Sequence, residues 1–314
     1  MSDSRQQLRA LTRHLMANEP DEIRALRTGA VPLHPGSYGQ YFTTWDLANG
    51  ILRDYSMNVY QLVRMAADER LSVNNVMTVM QTWDPIYSKY LGYSGFPALE
   101  RHAERISRCP VTNRATLVAV LSELAEYVNR LTAWSHHYFP WSLGAGYRYQ
   151  AAEGAVAPRP DAPAVPQAQG DPSRRVPVRL AWEPLGIEVV AELATDLNER
   201  LCADFMAALP FTVLQDHAVV SGRSMYAWAP LVSVAPTPVT ERICDAPTGR
   251  LRFSQATGNK LVIQYGTTTE TLSVPVLGMV SEGDLDSIDK VGHAVWDSTF
   301  HTKESIWLTA ELAG

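Results

Sequence analysis

Residues 151–177 read AAEGAVAPRPDAPAVPQAQGDPSRRVP, and this stretch decides how the chain is divided. Proline fixes φ and donates no backbone hydrogen bond, and nothing in the stretch offers more apolar surface than valine. Such a segment cannot bury enough surface to fold alone and is expected to be an extended or mobile tether. The expected organisation is therefore a first domain over 1–150, a Pro/Ala-rich linker over 151–176 and a second domain over 177–314.

Upstream of the tether, helical periodicity dominates. Leu117, Leu121, Leu124, Val128 and Leu131 recur three or four apart on one stripe, and Thr112 or Asn113 can cap the start of that helix. Asn18-Glu-Pro-Asp-Glu marks another helix start, and residues 59–67 and 73–82 read as further helices. Breaks fall at His34-Pro-Gly-Ser-Tyr-Gly and Tyr90-Leu-Gly-Tyr-Ser-Gly-Phe-Pro. A bundle of five to seven helices is expected. Downstream the texture changes to short, β-branched or alternating runs: 176–182, 186–193, 217–220, 225–228, 250–253, 260–265 and 306–312. Two helices, 198–208 and 284–296, interrupt them. This is the pattern of a closed antiparallel barrel. The expected fold is α+β with two domains, a helical bundle followed by a β-barrel.

Composition limits what such a protein does. The 314 residues are 46% apolar and 19% charged, ordinary values for a globular chain. A net charge of −6 argues against nucleic acid as a partner, which clustered Lys and Arg would be needed to hold. No apolar run approaches a membrane span, and the polar N-terminus lacks the core of a signal peptide. Cys109, Cys202 and Cys244 are too few and too scattered for a disulfide framework or a metal site. A cytoplasmic location with reduced thiols is the expectation. Nucleophile-elbow, phosphate-loop, dinucleotide and zinc-protease signatures are all missing.

Two segments of the second half resemble the cyclophilin fold. Asn198-Glu-Arg-Leu-Cys-Ala-Asp-Phe-Met-Ala-Ala-Leu-Pro is similar to the first barrel helix of that family. Gly278-Met-Val-Ser-Glu-Gly-Asp-Leu-Asp-Ser-Ile-Asp-Lys-Val-Gly is similar to its G-x-V-x-E-G segment. The arginine of the family's F-H-R run is missing, since Asp216-His217-Ala218 stands there, so the resemblance implies the cyclophilin-like fold and speaks against prolyl isomerisation. In the first half, Ser37-Tyr-Gly-Gln-Tyr-Phe-Thr-Thr-Trp-Asp, the Tyr90 to Pro97 loop and Trp134-Ser-His-His-Tyr-Phe-Pro-Trp resemble the helical domain of cucumopine synthase and its relatives. In cucumopine synthase the bundle follows the barrel, whereas here it precedes it.

The resemblance implies a Pictet–Spengler condensation. An aromatic L-amino acid would form an imine with 2-oxoglutarate and then close a ring. Tryptophan, giving a tetrahydro-β-carboline, is placed ahead of histidine, giving a cucumopine-type product. That order rests on an Ala-, Arg- and Pro-rich composition like that of actinobacterial enzymes of secondary metabolism and alkaloid biosynthesis. No cofactor or metal is implied, the partners are small-molecule substrates, and a homodimer is the candidate assembly. The alternative is a non-catalytic module that binds a small acid or peptide on a degenerate cyclophilin fold.

That chemistry needs a base with a pKa near neutrality, a forked cation for the oxo acid, and aromatic walls for cationic intermediates. Trp134-Ser135-His136-His137 is the richest stretch. Adjacent helical residues point about 100° apart, so at most one of His136 and His137 is expected to face a given pocket. The other reading makes both structural groups at a helix end. Asp46, beside aromatic residues, is the competing base, or else a partner for Arg53. His136, His137 and Asp46 are thus the catalytic candidates. Gln40 and Tyr41 precede Asp46 as substrate-binding candidates, joined by Trp134. In the barrel, His217, Ser221, Arg223 and Tyr226 are the substrate-binding candidates, with Arg223 as the carboxylate clamp. A hairpin with a solvated arginine is the plainer reading there.

Overall fold

The computed structural model describes residues 2–30, 45–142 and 174–313. It divides into two compact units, Met1–Phe139 with Gln255–Asn259, and Pro140–Ser254 with Lys260–Gly314. Most of the expected linker lies outside the described residues.

The helical unit has six α-helices among its described residues: α1 (Ser2–Leu15), α2 (Asp21–Arg27), α3 (Leu52–Ala67), α4 (Val73–Tyr93), α5 (Pro97–Ser107) and α6 (Arg114–Tyr138). A π-helical turn, Leu47–Ile51, leads into α3. Local chemistry sets the ends. Ser72 accepts from the Asn75 amide at the start of α4, and Asn113 accepts from the Thr116 amide at the start of α6. The guanidinium of Arg114 donates to the carbonyls of Ala66, Asp68 and Leu71, so the first residue of α6 also closes the end of α3.

α4 runs further than its sequence suggests, through Pro85 to Tyr93. Proline removes one helical donor, and tertiary bonding offsets part of that loss. Tyr55 of α3 donates to Asp84 at 2.5 Å, both side chains being buried. Desolvation raises the Asp84 carboxyl and also pushes the Tyr55 phenol well up, so the pair stays as a short hydrogen bond inside the bundle. α6 is the central element, with Leu117, Val120, Leu121, Leu124, Val128 and Leu131 all without exposed surface.

Among its described residues the second unit has ten antiparallel strands: β1 (Val176–Trp182), β2 (Ile187–Leu193), β3 (Phe211–Leu214), β4 (Asp216–His217), β5 (Gly222–Trp228), β6 (Thr240–Arg242), β7 (Arg250–Ser254), β8 (Lys260–Thr268), β9 (Ser273–Val280) and β10 (Trp307–Leu312). Their order is β3-β10-β1-β2-β9-β7-β8-β5-β4, with β6 pairing β9. The two strands that end this path, β3 and β4, are consecutive in the chain and separated only by Gln215. The sheet therefore curls into a nearly closed barrel. Gln215 fastens the seam, its amide donating to Ile306 and its side-chain oxygen accepting from Trp182. The expected order, a helical half and then an antiparallel barrel, is the observed one.

Two helices pack against the barrel, α7 (Glu199–Ala207) and α8 (Leu285–Asp297). Phe205 of α7 meets Phe211 and Phe253 edge-on. Before α7, the buried Asn198 side chain donates to the carbonyls of Val239 and Val276 and accepts from the Val239 amide. One amide thus ties the irregular stretch after β5 to β9, with its donors and acceptor used. Glu241 and Arg250 form a buried ion pair at 2.7 Å. The fully buried Arg252 donates to the Ile243 carbonyl. Among the described residues no helix is long and apolar enough to cross a membrane.

α8 lies close to β8 because Gly292 has no side chain. A Cβ there would come within 2.4 Å of the Tyr265 ring, whose hydroxyl is itself held by His217. Gly292→Ala is expected to destabilise the protein by about 1–3 kcal/mol, the usual cost of overpacking. Chemical denaturation measures this, and an unchanged midpoint would show that the ring shifts freely.

Candidate functional site

Late in α6, an apolar helix turns into a buried polar one. Every residue from Tyr127 to His137 is buried, including Asn129, Arg130, Ser135, His136 and His137. At about 100° per residue, Arg130 stands about 40° and His137 about 20° from Glu126 around the helix axis. Glu126, Arg130 and His137 therefore lie on one stripe about 16 Å long, with Ala133 between them as the small residue. His136 points about 80° away from Glu126, toward the side of Asn129, which accepts a hydrogen bond from Ser56 at 2.5 Å.

The electrostatics of this stripe suit proton transfer. Burial pushes the Glu126 carboxyl up to about 7; nearby Arg130 opposes that rise and Glu123 adds to it. Burial lowers the Arg130 guanidinium to about 10, opposed by Glu126, which leaves it cationic at neutral pH. Glu123 is already committed elsewhere, accepting from Arg5 and from Arg9, the latter at 2.6 Å. Glu126 is thus a carboxyl present in both protonation states near neutrality, one turn from a buried cation. Neither Glu126 nor Arg130 stood out in the sequence. The available signal was a Glu and an Arg four apart, which reads equally well as a solvated surface pair.

Among the other bundle candidates, Trp134 and His137 have structural partners. The Trp134 indole donates to the Leu15 carbonyl at 2.8 Å, pinning α6 to the end of α1. Its ring stacks on Tyr138 at 6.0 Å, and Arg27 covers the Tyr138 face at 4.8 Å. His137 meets Tyr138 edge-on at 4.8 Å. Asp46 is exposed ahead of the π turn, and Arg53 pairs with Asp54 at 3.6 Å instead. Gln40 and Tyr41 lie outside the described residues.

In the barrel unit, strand register separates residues that the sequence placed together. His217 pairs with Met225, Met225 with Ile263 and Ile263 with Leu251, giving one row on one face. Asp216, Tyr226, Val262 and Arg252 form the neighbouring row on the opposite face. His217 and Tyr226 thus face opposite ways. Tyr226 packs against Trp228 at 5.1 Å, and the Lys260 ammonium sits 4.4 Å from its ring.

His217 is enclosed by Tyr265, Trp296 and Phe300. Nδ1 lies 2.7 Å from the Ala218 carbonyl, which can only accept, so Nδ1 carries the proton. Nε2 then accepts from the Tyr265 hydroxyl at 2.7 Å. Burial lowers the imidazole to about 4, so it is neutral at pH 7 and acts through these two hydrogen bonds rather than as a cation for a carboxylate. Behind it, Thr299 donates to Asp216 and accepts from the His217 amide. Lys303, lowered to about 8 by burial, donates to the Thr299 carbonyl. Arg223 is exposed, lies against Gly266 and sits 3.9 Å from Asp289 of α8. The Ser221 hydroxyl donates to Glu270. No group of three or more His, Cys, Asp or Glu side chains among the described residues is arranged to hold a metal ion.

Two titrations follow with opposite signs. Glu126 has a raised pKa, so the folded state holds its proton more tightly than the unfolded chain does. Stability is therefore lost as pH rises from about 4.5 to about 7, by up to roughly 3 kcal/mol. In Glu126→Gln, denaturation midpoints measured across pH 4.5–8 should lose this slope, and an identical slope would place the carboxyl in water. His217 has a lowered pKa, so stability falls as pH drops from about 6.5 to about 4. His217→Gln should flatten that acid limb, and an unaltered limb would contradict the neutral imidazole.

Residues 3–138 match the family described as the cucumopine synthase C-terminal helical bundle domain. Among solved structures, McbB in complex with tryptophan is similar, at 28% identity and a TM-score of 0.41, over 44% of this chain and 45% of McbB. The chain thus aligns with less than half of McbB's length. No curated protein matches the chain. The helical half, carrying the Glu126–Arg130–His137 stripe on its central helix, is thus similar to the cucumopine synthase helical bundle domain.

Proposed function

We propose that the protein is a Pictet–Spengler-type synthase that condenses an aromatic L-amino acid with 2-oxoglutarate. Tryptophan is the favoured amine and histidine the second choice. The observation that carries this reading is the match of residues 3–138 to that helical bundle domain, and the α6 stripe, in which Arg130 and His137 are buried and Glu126 is half-buried, supports it chemically.

The reaction needs proton traffic in both directions. The substrate ammonium loses a proton, and its amine attacks the ketone carbon. The resulting carbinolamine then expels water, which requires an acid, to leave an iminium. The electron-rich ring closes on the iminium carbon, and a ring proton leaves to restore aromaticity. Amine plus oxo acid gives product plus one water. A carboxyl with a pKa of about 7 can serve as base for the first and last steps and as acid for the dehydration. Arg130, cationic and desolvated, is suited to hold a carboxylate of either substrate beside it. His137 is the second proton carrier on the same stripe. His136 and Asp46 are the competing bases, with Trp134, Tyr41 and Gln40 as the proposed walls of the amine site.

In the barrel unit, Arg223 is the proposed clamp for the oxo acid, with Ser221, Tyr226 and His217 as the remaining binding candidates. His217 would contribute by orienting Tyr265. The rival function is capture of a small acid without turnover.

Incubation of the protein with tryptophan or histidine and 2-oxoglutarate, followed by mass spectrometry, tests the proposal. A product at the summed mass less one water, formed faster than in a protein-free control, is expected. If neither amine reacts while 2-oxoglutarate raises the melting temperature, the binding reading replaces it. In an active preparation Glu126→Gln should lower kcat by about 100-fold or more, the usual contribution of a general base. Undiminished turnover would remove Glu126 and shift the search to His137→Ala and Asp46→Asn. Arg223→Ala should raise KM for the oxo acid with kcat little changed, and an unaltered KM would take Arg223 out of the site.

A further inference from the structure

α4 and α5 line two hollows that the α6 stripe does not touch. A cavity of about 130 Å³ is lined by Ser88 and Lys89 of α4 and by Glu100, Glu104 and Arg108 on and after α5. Glu104 and Arg108 also line an open depression of about 440 Å³, together with Arg101, Arg105 and Cys109. The hollows adjoin across their shared lining residues Glu104 and Arg108, an ion pair of 2.5 Å.

Their charges are sorted. The small cavity has cations and carboxylates on its walls, while three arginines and one glutamate border the depression, in a chain whose net charge is −6. The cationic field reaches His102, whose imidazole is lowered first by burial and then by Arg101 and Arg105. Glu100 lies directly over Gly92, where a Cβ would come within 1.8 Å of Oε2. That puts a carboxylate on the last turn of α4, whose carbonyls already form the negative end of a helix. A cation placed there relieves the repulsion.

We propose that these hollows form a binding site for an acidic α-amino acid of the glutamate or aspartate class. The ammonium sits on Glu100, the α-carboxylate on Lys89 and Arg108, and the side-chain carboxylate on Arg101 and Arg105. The cavity is close to the roughly 150 Å³ that accommodates a benzene-sized molecule, so the amino-acid head fits inside while the side chain extends into the depression. This site is independent of the condensation, because none of its residues is among those proposed for that reaction.

Isothermal titration of the full chain with L-glutamate, L-glutamine, glutarate and sulfate tests it, with no turnover needed. Saturable L-glutamate binding at least tenfold tighter than that of the other three is the expected result. Arg105→Ala should abolish the preference for glutamate over glutamine, and Glu100→Gln the preference for glutamate over glutarate. If Glu100→Gln fails to fold, Lys89→Ala at the exposed rim should weaken glutamate at least tenfold. No saturation below 10-fold the concentration range typical of metabolite sites, taken as about 1 mM, overturns the proposal. Equal binding of glutarate or sulfate also overturns it, leaving only a non-selective anion patch.

Discussion

Removing charge from water is the constraint on which the helical unit turns. α6 has 25 residues, and its last three turns are buried on all sides. A helix enclosed in that way is normally apolar all round. This one carries Glu123, Glu126 and Arg130, so each charge must be neutralised by a partner or by a shifted pKa. Glu123 takes the first route with two arginines from α1. Glu126 takes the second. The same desolvation that costs stability gives Glu126 a proton affinity suited to work near neutrality, which ties packing directly to chemistry.

The barrel handles its polar groups differently. Asn198, Gln215, Gln264 and Arg252 are buried, and each makes a hydrogen bond with the main chain. They act as fasteners between strands and loops. His217 belongs with them in geometry, since both ring nitrogens are engaged, yet its partner is a phenol rather than a carbonyl. An imidazole that accepts from Tyr265 holds that hydroxyl in one direction, beneath an α8 that only a glycine allows so close.

Much of the architecture was legible because it is written in composition and period. The leucine stripe of α6 and the alternating runs of β1, β2 and β8 each obey one simple rule. What escaped reading broke a local rule for a tertiary reason. β9 contains Pro275 and Gly278, which argue against a strand, yet a Cβ at Gly278 would come within 2.3 Å of the Glu192 carbonyl on β2. α4 continues past Pro85 because its Asp84 is held by Tyr55 from α3. The candidate site was less legible still. His136 and His137 are conspicuous as a doublet, but Glu126 and Arg130 become distinctive only once burial is known, and burial belongs to the fold rather than to any window of sequence. The pairing of His217 with Tyr265 joins residues 48 positions apart and leaves no local trace.

The seam at Gln215 has a consequence for how this architecture can diversify. The first and last strands of the circle are separated by one residue, which must reach Ile306 with its amide and Trp182 with its side chain. Side chains alternate along a strand, so adding or deleting one residue there would turn β4 over and carry His217 to the wrong face. Length variation among relatives should therefore avoid this point. It should accumulate in stretches such as 234–238, which lie between strands and are partly exposed, so that an added residue leaves the circle intact.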